Sequence, residues 1–269
     1  MAKNYLWTQS RARLHLVRET PGDFNWLFLP GGPGLGSESL NDLIGILALP
    51  GAIWQVDLPG DGSNIKKAQF QDWSAALFEA TEALDNVILV AHSAGGMFAL
   101  ANAQLQETLT GLILMNTAPD SSWQQDFTIY VKTNPLPAAM KWQNIYESHP
   151  SDENLKEFTA ACVAYAFTER NYTKAVQLIR SLPINHQAYE WAAENFHPSY
   201  QAQWVPKNIP VLIFAGELDR ITPVQLFKNT KEFNRPNILI QDIQNAAHYP
   251  WLDNPEQVRQ LFREYCQRL

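Results

Sequence analysis

Six short apolar runs, rich in β-branched and aromatic residues, constrain the fold of this chain more than any other feature. They lie at 26–29, 52–56, 87–90, 112–115, 211–214 and 238–240, and Gln55 is the one polar residue within them. Strands covered on both faces of a parallel sheet have this continuous pattern, whereas half-exposed strands alternate apolar and polar residues. The runs therefore predict a buried, mainly parallel sheet.

Helical patterns lie between these runs. Apolar residues repeat with a period of 3.6 at 40–47 and 73–84, and Asn254 followed by Pro255 is typical of the start of a last helix. An alternation of strands and helices is typical of a doubly wound α/β fold. Residues 5–8 and 13–17 predict an antiparallel hairpin at one edge of the sheet.

The alternation is interrupted between residues 120 and 206, where aromatic residues are frequent and helix-like stretches such as 153–167 replace strands. We predict a helical cap at 120–206, inserted into a core formed by 1–119 and 207–269. Its aromatic residues are expected to form a small second core, with some of them facing whatever cavity the cap covers.

Composition limits the classes of partner. Hydrophobic residues make up 46% and charged residues 17%, which indicates a globular protein. The net charge of −7 argues against nucleic acid or an anionic membrane as the main partner, so we expect a small-molecule or short-peptide substrate. Arg11, Arg13 and Arg18 stand where a secretion signal would need its apolar centre, and a cytoplasmic location is therefore predicted.

The sequence favours no metal site and no cofactor. Cys162 and Cys266 lack any metal-ligand or C-x-x-C spacing, and we expect two free, buried thiols. The histidines at 15, 149, 186 and 197 are scattered and form no ligand pattern.

Ser93 is the candidate nucleophile. It lies in the segment A-H-S-A-G at 91–95, directly after an apolar run and before a helical stretch. A serine in a sharp strand-to-helix turn needs small neighbours two positions before and after it, and Ala91 and Gly95 meet that need. The pattern alone also fits an ordinary serine in a glycine-containing turn. His92, within the same turn, is interpreted as a structural residue.

A serine hydroxyl needs a base and an anion that orients the base. Asp219 follows the run at 211–214 and His248 follows the run at 238–240, so both are expected at the sheet edge that carries Ser93. The order Ser, Asp, His is that of the α/β-hydrolase triad. Unrelated surface positions for both residues are the alternative. Asp120 is a second candidate for the acid, and Asp253 is expected at the surface or at a helix start.

An oxyanion formed during acyl transfer needs N–H donors. The backbone N–H of Ala94, just past the candidate nucleophile, would supply one. The loop P-G-G-P-G at 30–34 follows another apolar run, and Gly32 is the candidate for the second donor because the prolines have no N–H. The same loop also fits a tight turn without such a role.

Together these segments resemble the α/β-hydrolase superfamily. Residues 57–63 are similar to its D-x-x-G-x-G-x-S turn, 216–219 to its G-x-x-D acid loop, and 248–250 with 254–255 to its H-x-P…N/E-x-P ending. Residues 31–37 are similar to the proline iminopeptidase group, whose loop reads H-G-G-P-G. The resemblance implies a mainly parallel eight-stranded sheet with a helical cap, and metal-free serine hydrolysis.

The chain departs from that group at Pro30, where the group has His, and at Ala91 and Ala94 of the turn around Ser93. The last two departures make the turn more similar to that of esterases. Those peptidases hold the free amine of their substrate with carboxylates of the cap. Glu190 and Glu194 are the candidates for that role here, but solvated charges on a helix surface are the preferred account of the pair.

The first hypothesis is therefore a serine hydrolase that cleaves a carboxylic ester or small amide through an acyl-enzyme. A proline iminopeptidase-like aminopeptidase that releases an N-terminal residue is the alternative within the same chemistry. A non-catalytic ligand-binding protein is the alternative of another class, since a fold does not fix a function. A cofactor-free lyase or oxygenase reaction is a third alternative.

Overall fold

The computed structural model describes residues 4–65 and 70–269. Within them a sheet is formed by β1 (Tyr5–Trp7), β2 (Arg13–Glu19), β3 (Asn25–Leu29), β4 (Ala52–Asp57), β5 (Val87–His92), β6 (Leu109–Met115), β7 (Val211–Gly216) and β8 (Ile238–Ile243). The strand order is β1-β2-β4-β3-β5-β6-β7-β8. Each of the six apolar runs forms one of these strands.

The sheet is parallel from β4 through β8, and β1 and β2 join it as an antiparallel pair at one edge. The predicted mainly parallel sheet of eight strands, with a hairpin at its edge, is thus confirmed. All six residues of β5 are buried at the centre.

The α-helices of the described residues are α1 (Asn41–Ile46), α2 (Trp73–Glu82), α3 (Ala94–Ala101), α4 (Trp123–Thr133), α5 (Pro137–Ser148), α6 (Asp152–Ala161), α7 (Val163–Ala166), α8 (Tyr172–Ser181), α9 (His186–Trp191), α10 (Gln225–Asn229), α11 (Pro250–Asp253) and α12 (Pro255–Cys266). Asn254 caps α12, since its side chain accepts the N–H of Gln257. The predicted helix start at Asn254 and Pro255 is confirmed.

The sheet is covered on both faces, because alternate residues of each strand enter different apolar clusters. Trp26 and Phe28 of β3 pack with residues of α1, α11 and α12, whereas Leu27 and Leu29 pack with residues of α2, α3 and α10. This is the doubly wound arrangement that the sequence predicts, and it places the carboxyl ends of β3 to β8 at one edge.

Six of the helices, α4 to α9, lie between β6 and β7, in a segment that the structure describes in full. Their inward side chains, such as Leu155 and Val163, join the apolar cluster that contains Trp26. The helix-like stretch at 153–167 is divided into α6 and α7 at Cys162. The limits of the cap at 120 and 206 stay predictions.

Asn64, rather than Ser63, stands at the last position of the turn that begins at Asp57. The eight-residue pattern D-x-x-G-x-G-x-S begins at Asp57 and ends at position 64, which is Asn64, so Ser63 lies one residue too early. Asn64 Nδ2 donates to the carbonyl oxygens of Asp57 and Leu58, both at 3.1 Å. The amide of Asn64 thus closes this turn at the position where the similar pattern has a serine.

Both cysteines are free among the described residues, but they are half-buried rather than fully buried as expected. Within residues 4–65 and 70–269 no cluster of three His, Cys, Asp or Glu side chains could hold a metal ion. Over the same residues, every helix is too short or too polar to cross a membrane.

Candidate active site

Ser93 lies between β5 and α3 with a backbone φ of 51°. A residue with a side chain rarely adopts this conformation, and it persists only where the surroundings enforce it. The turn passes so close to the loop after β3 that a Cβ on Gly95 would lie 2.3 Å from the carbonyl oxygen of Pro30. This close approach is the physical reason for the small residue two positions after Ser93.

The structure brings Ser93, His248 and Asp219 into one hydrogen-bonded chain. Ser93 Oγ lies 3.0 Å from His248 Nε2, and His248 Nδ1 lies 2.9 Å from Asp219 Oδ2. Asp219 follows β7 and His248 follows β8, so both loops leave the sheet at the edge where Ser93 stands. With Nδ1–H donated to the carboxylate, Nε2 is free to accept the serine proton.

Asp219 is buried and remains charged. Burial raises its pKa, but the charge of His248 and the hydrogen bonds from His248 and Asn116 outweigh burial and lower the pKa to about 2. The backbone N–H groups of Ile221 and Thr222 also donate to its Oδ1, at 2.9 and 3.2 Å. A carboxylate held in this way keeps the imidazole in one tautomer and stabilises an imidazolium.

The two candidate oxyanion donors, Gly32 and Ala94, border the same cavity as Ser93 and His248. Ala94 begins α3, where the first N–H groups have no partner within the helix. Among the described residues, neither N–H donates a hydrogen bond. Two unpaired donors beside the serine, one at a helix N-terminus, suit a developing negative charge.

His92 lies below the site and is buried. Its Nε2 donates to the carbonyl oxygen of His248 at 3.1 Å. Burial, followed by the charge of His248, lowers the pKa of His92 to about 3, so the ring is neutral at physiological pH. Its place under the His248 loop agrees with a structural role.

Hydrogen bonds join the loop that carries His248 to the cap. The N–H of His248 donates to the carbonyl oxygen of Ala166 at 3.0 Å. Asp253 Oδ2 accepts the N–H of Ala247 at 2.8 Å, and Asp253 Oδ1 accepts Nδ2 of Asn171 at 2.7 Å. Of the two positions expected for Asp253, the surface is wrong, because this side chain is buried and joins the cap to the loop; the residue does stand next to a helix start, directly before the N-cap residue of α12.

A cavity of about 750 Å³ opens above Ser93. Most of its lining side chains are apolar and come from the cap, among them Phe127, Ala139, Leu155, Phe158, Val163 and Ile179. No Asp or Glu of the described part of the chain lines it, and the exposed Lys132 is among its lining residues. The cavity is therefore suited to an apolar chain rather than to a cationic group.

The structure does not bring Glu190 and Glu194 to this cavity. Glu190 accepts a hydrogen bond from the hydroxyl of Tyr146 at 2.7 Å, and Glu194 is exposed in a π-helical turn. Their neighbours Tyr189 and Ala193 face the cavity instead. Helix rotation places the glutamates away from the site, so a role for them in holding a substrate amine is not supported.

Asn116 is a site residue that the sequence reasoning missed. It follows β6 directly with a φ of 46°, and its Nδ2 donates to Asp219 Oδ2 at 2.8 Å. Asp120, the second candidate acid, instead forms an isolated bridge with Gln201 and accepts the N–H of Ser122. The sequence did contain a signal for Asn116, because it is a polar residue directly after the apolar run at 112–115 and so lies at the sheet edge that carries the site.

Residues 26–261 match the sequence profile of the Alpha/beta hydrolase family. The chain belongs to this family. The match covers the six parallel strands of the sheet except for the first residue of β3, and it covers the three loops that carry Ser93, Asp219 and His248. The predicted superfamily membership is thereby confirmed.

Known relatives agree with this membership. A pimeloyl-[acyl-carrier protein] methyl ester esterase from Wigglesworthia glossinidia brevipalpis is 25% identical over 254 residues, which are 87% of this chain and 90% of the relative. An alpha/beta fold family hydrolase from Bacillus anthracis str. Sterne is 20% identical, with a TM-score of 0.76 over 97% of this chain and 98% of its own. The proline iminopeptidase of Mycobacterium smegmatis is 15% identical, with a TM-score of 0.66 over 98% of each chain. At these identities the structural matches show a common fold.

Proposed function

We propose that this hydrolase is a serine esterase that cleaves carboxylic esters carrying an apolar chain, through an acyl-enzyme intermediate. One observation carries the proposal: the hydrogen-bonded chain of Ser93, His248 and Asp219 stands at the base of an apolar cavity without acidic side chains among the described residues. The esterase from Wigglesworthia supports the same class of bond.

In the first half of the reaction, Ser93 Oγ attacks the ester carbonyl carbon while its proton passes to His248 Nε2. The carbonyl oxygen gains the negative charge and is held by the N–H groups of Gly32 and Ala94. The tetrahedral intermediate collapses when the bond to the alcohol oxygen breaks, and His248 gives its proton to that oxygen. Asp219 stabilises the imidazolium without taking the proton.

In the second half, His248 takes a proton from water, and the resulting nucleophile attacks the acyl carbon. Collapse of the second tetrahedral intermediate breaks the bond to Ser93 Oγ, which regains its proton from His248. The products are an alcohol and a carboxylic acid. Atoms and charges balance without a metal or cofactor.

The lining of the cavity favours an ester over an N-terminal peptide bond. A substrate with a free ammonium group needs a carboxylate nearby, and no Asp or Glu of the described residues lines the cavity. An apolar acyl or alkyl chain instead gains free energy from each methylene that it buries, at about 0.8 kcal/mol per group. A small-molecule partner and a cytoplasmic location stay predictions.

The test is a reaction with a fluorophosphonate probe, followed by peptide mapping. Wild type should be labelled at Ser93, and Ser93→Ala should lose both the label and at least about 10⁴-fold of its activity on p-nitrophenyl butyrate. Ser74→Ala, at an exposed serine of α2, is the matched control and should behave as wild type. A label that persists at another residue in Ser93→Ala would refute the proposal.

The alternatives give different results with a substrate panel. A panel of p-nitrophenyl esters, alkyl esters and aminoacyl arylamides separates an esterase from an aminopeptidase by the relative rates. A ligand-binding protein would show no burst of p-nitrophenol. Products other than an acid and an alcohol would indicate lyase or oxygenase chemistry.

A further inference from the structure

A side chain of a neighbouring loop holds the loop that carries Gly32. Asp61 follows β4 and is only 3% exposed. Its Oδ1 accepts the N–H of Gly34 at 3.0 Å and that of Gly36 at 3.3 Å. The carboxyl group therefore fixes the backbone two and four residues beyond the candidate oxyanion donor.

The same loop is held from the cap side. The N–H of Asn185, just before α9, donates to the carbonyl oxygen of Gly34 at 2.9 Å. Asn185 Nδ2 donates to the carbonyl oxygen of Gly60 at 2.6 Å. Gly34 is thus bound through its N–H by Asp61 and through its C=O by Asn185, and the two loops are tied to each other.

The backbones of the two loops also touch. A Cβ on Gly62 would lie 2.4 Å from the Cα of Gly36, so little space separates the chains on either side of Asp61. A carboxyl group in this position has little freedom to move away from the N–H groups that it binds.

The buried carboxyl group of Asp61 lowers the stability of the folded state. Burial, followed by the charge of Asp57, raises the pKa of Asp61 to about 8, whereas the same group in the unfolded chain ionises near 3.8. At neutral pH the folded state must therefore hold a proton that the unfolded state has lost, which lowers stability. A group that costs stability needs another reason for its presence.

We propose that Asp61 is a positioning residue for hydrolysis: its carboxyl oxygen holds the loop at 31–36 so that the N–H of Gly32 is aimed at the developing oxyanion. The inference rests on the proposed function. A donor of this kind acts mainly in the transition state, and a displacement of about 1 Å can cost about 10²-fold in rate. Asp61 should therefore affect kcat rather than substrate binding.

The experiment compares Asp61→Ala and Asp61→Asn on p-nitrophenyl butyrate. Asp61→Ala removes the acceptor and should lower kcat by about 10- to 100-fold while KM stays within about threefold. Asp61→Asn keeps an acceptor oxygen and should recover kcat to within about fivefold of wild type. Thermal unfolding of each variant is measured alongside.

Tyr265→Phe is the matched control for lost stability. It removes a hydrogen bond of 2.8 Å from the Tyr265 hydroxyl to the carbonyl oxygen of Pro210, on α12 and away from the site. Its kcat should equal that of wild type even though its unfolding temperature falls.

Two results would overturn the assignment of Asp61 while leaving the proposed function intact. The first is a wild-type kcat in Asp61→Ala. The second is an equal loss of kcat in Asp61→Ala and Asp61→Asn, which would show that the acceptor oxygen is not what matters. If wild type and Tyr265→Phe hydrolyse no ester, the proposed function is refuted, and the inference about Asp61 is refuted with it because it rests on that function.

Discussion

The sheet edge below the cavity and the cap above it are built in different ways. Every residue of β5 is buried, and backbone meets backbone around Ser93, as the contact between Gly95 and Pro30 shows. Along α4, all of whose residues the structure describes, no side chain is fully buried. The side chains by which the cap lines the cavity range from buried, such as Leu155, to exposed, such as Met140.

This difference assigns two requirements of a hydrolase to different regions: the sheet edge positions the reacting groups, and the cap selects the substrate. Reacting groups must be held within fractions of an ångström, and close-packed parallel strands do this because they cannot be deformed at low cost. Side chains that line a cavity border free space, so a change in their size alters the cavity before it disturbs the packing of the strands. Changes at the sheet edge should therefore alter the rate of the chemical step, and changes in the cap should alter the choice of substrate.

The largest expected effect is at the sheet edge. Asp219→Asn should lower kcat on p-nitrophenyl butyrate by about 10⁴-fold with little change in KM, because an amide no longer fixes the imidazole tautomer. Asp120→Asn is the matched control and should keep wild-type activity, since Asp120 contacts Ser122 and Gln201 instead of His248. The reverse outcome would make Asp120 the acid and contradict the observed geometry.

A cap variant should change selectivity instead. Ala139 of α5 lines the cavity, and Ala139→Phe would fill part of it. The ratio of kcat/KM for p-nitrophenyl octanoate to that for the acetate should fall about 10- to 100-fold, while activity on the acetate stays within about threefold. The adjacent Ala138→Phe, at an exposed position of the same helix, should leave the ratio unchanged. An equal loss on both esters would mean that the cap also governs the chemical step.

The smallest effect concerns stability and compares two histidines, the half-buried His197 of the cap and the buried His92 of the sheet edge. Burial lowers the pKa of His197, in the cap, to about 4 from the ordinary value of 6.5. The unfolded chain therefore takes up a proton at a higher pH than the folded chain. The contribution of His197 to stability is complete above pH 6.5 and declines as the pH falls toward 4, by at most about 1.4 kcal/mol per pH unit.

His197→Phe should make the free energy of unfolding less dependent on pH over this range. Urea unfolding of both proteins between about pH 4.5 and 7.5 measures the effect. His92, at the sheet edge, has a pKa of about 3 and adds a decline of its own, whereas Asp61, with a pKa of about 8, gains stability as the pH falls; both act equally in the two proteins, so the difference between the proteins reports His197. His149→Phe, at an exposed histidine, is the control. Identical pH dependence in wild type and His197→Phe would contradict the role assigned to His197.

Much of the sheet edge could be predicted from the sequence. Continuous apolar runs identified the parallel strands, and the short loops after them contained Ser93, Asp219 and His248. The rotation of the cap helices could not be predicted in the same way. Glu190 and Glu194 were the candidates there, but the structure turns Tyr189 and Ala193 to the cavity instead.

The sequence by itself determined which elements form and in what order, because strand periodicity, helix caps and turn residues act between neighbours along the chain. Only the tertiary structure decided that His248 pairs with Asp219 rather than Asp120, and that Asn116, Asp61 and Asp253 brace the loops of the site. Those partners lie far apart in sequence, so their contacts depend on how strands and helices pack and rotate against each other, which no local pattern records.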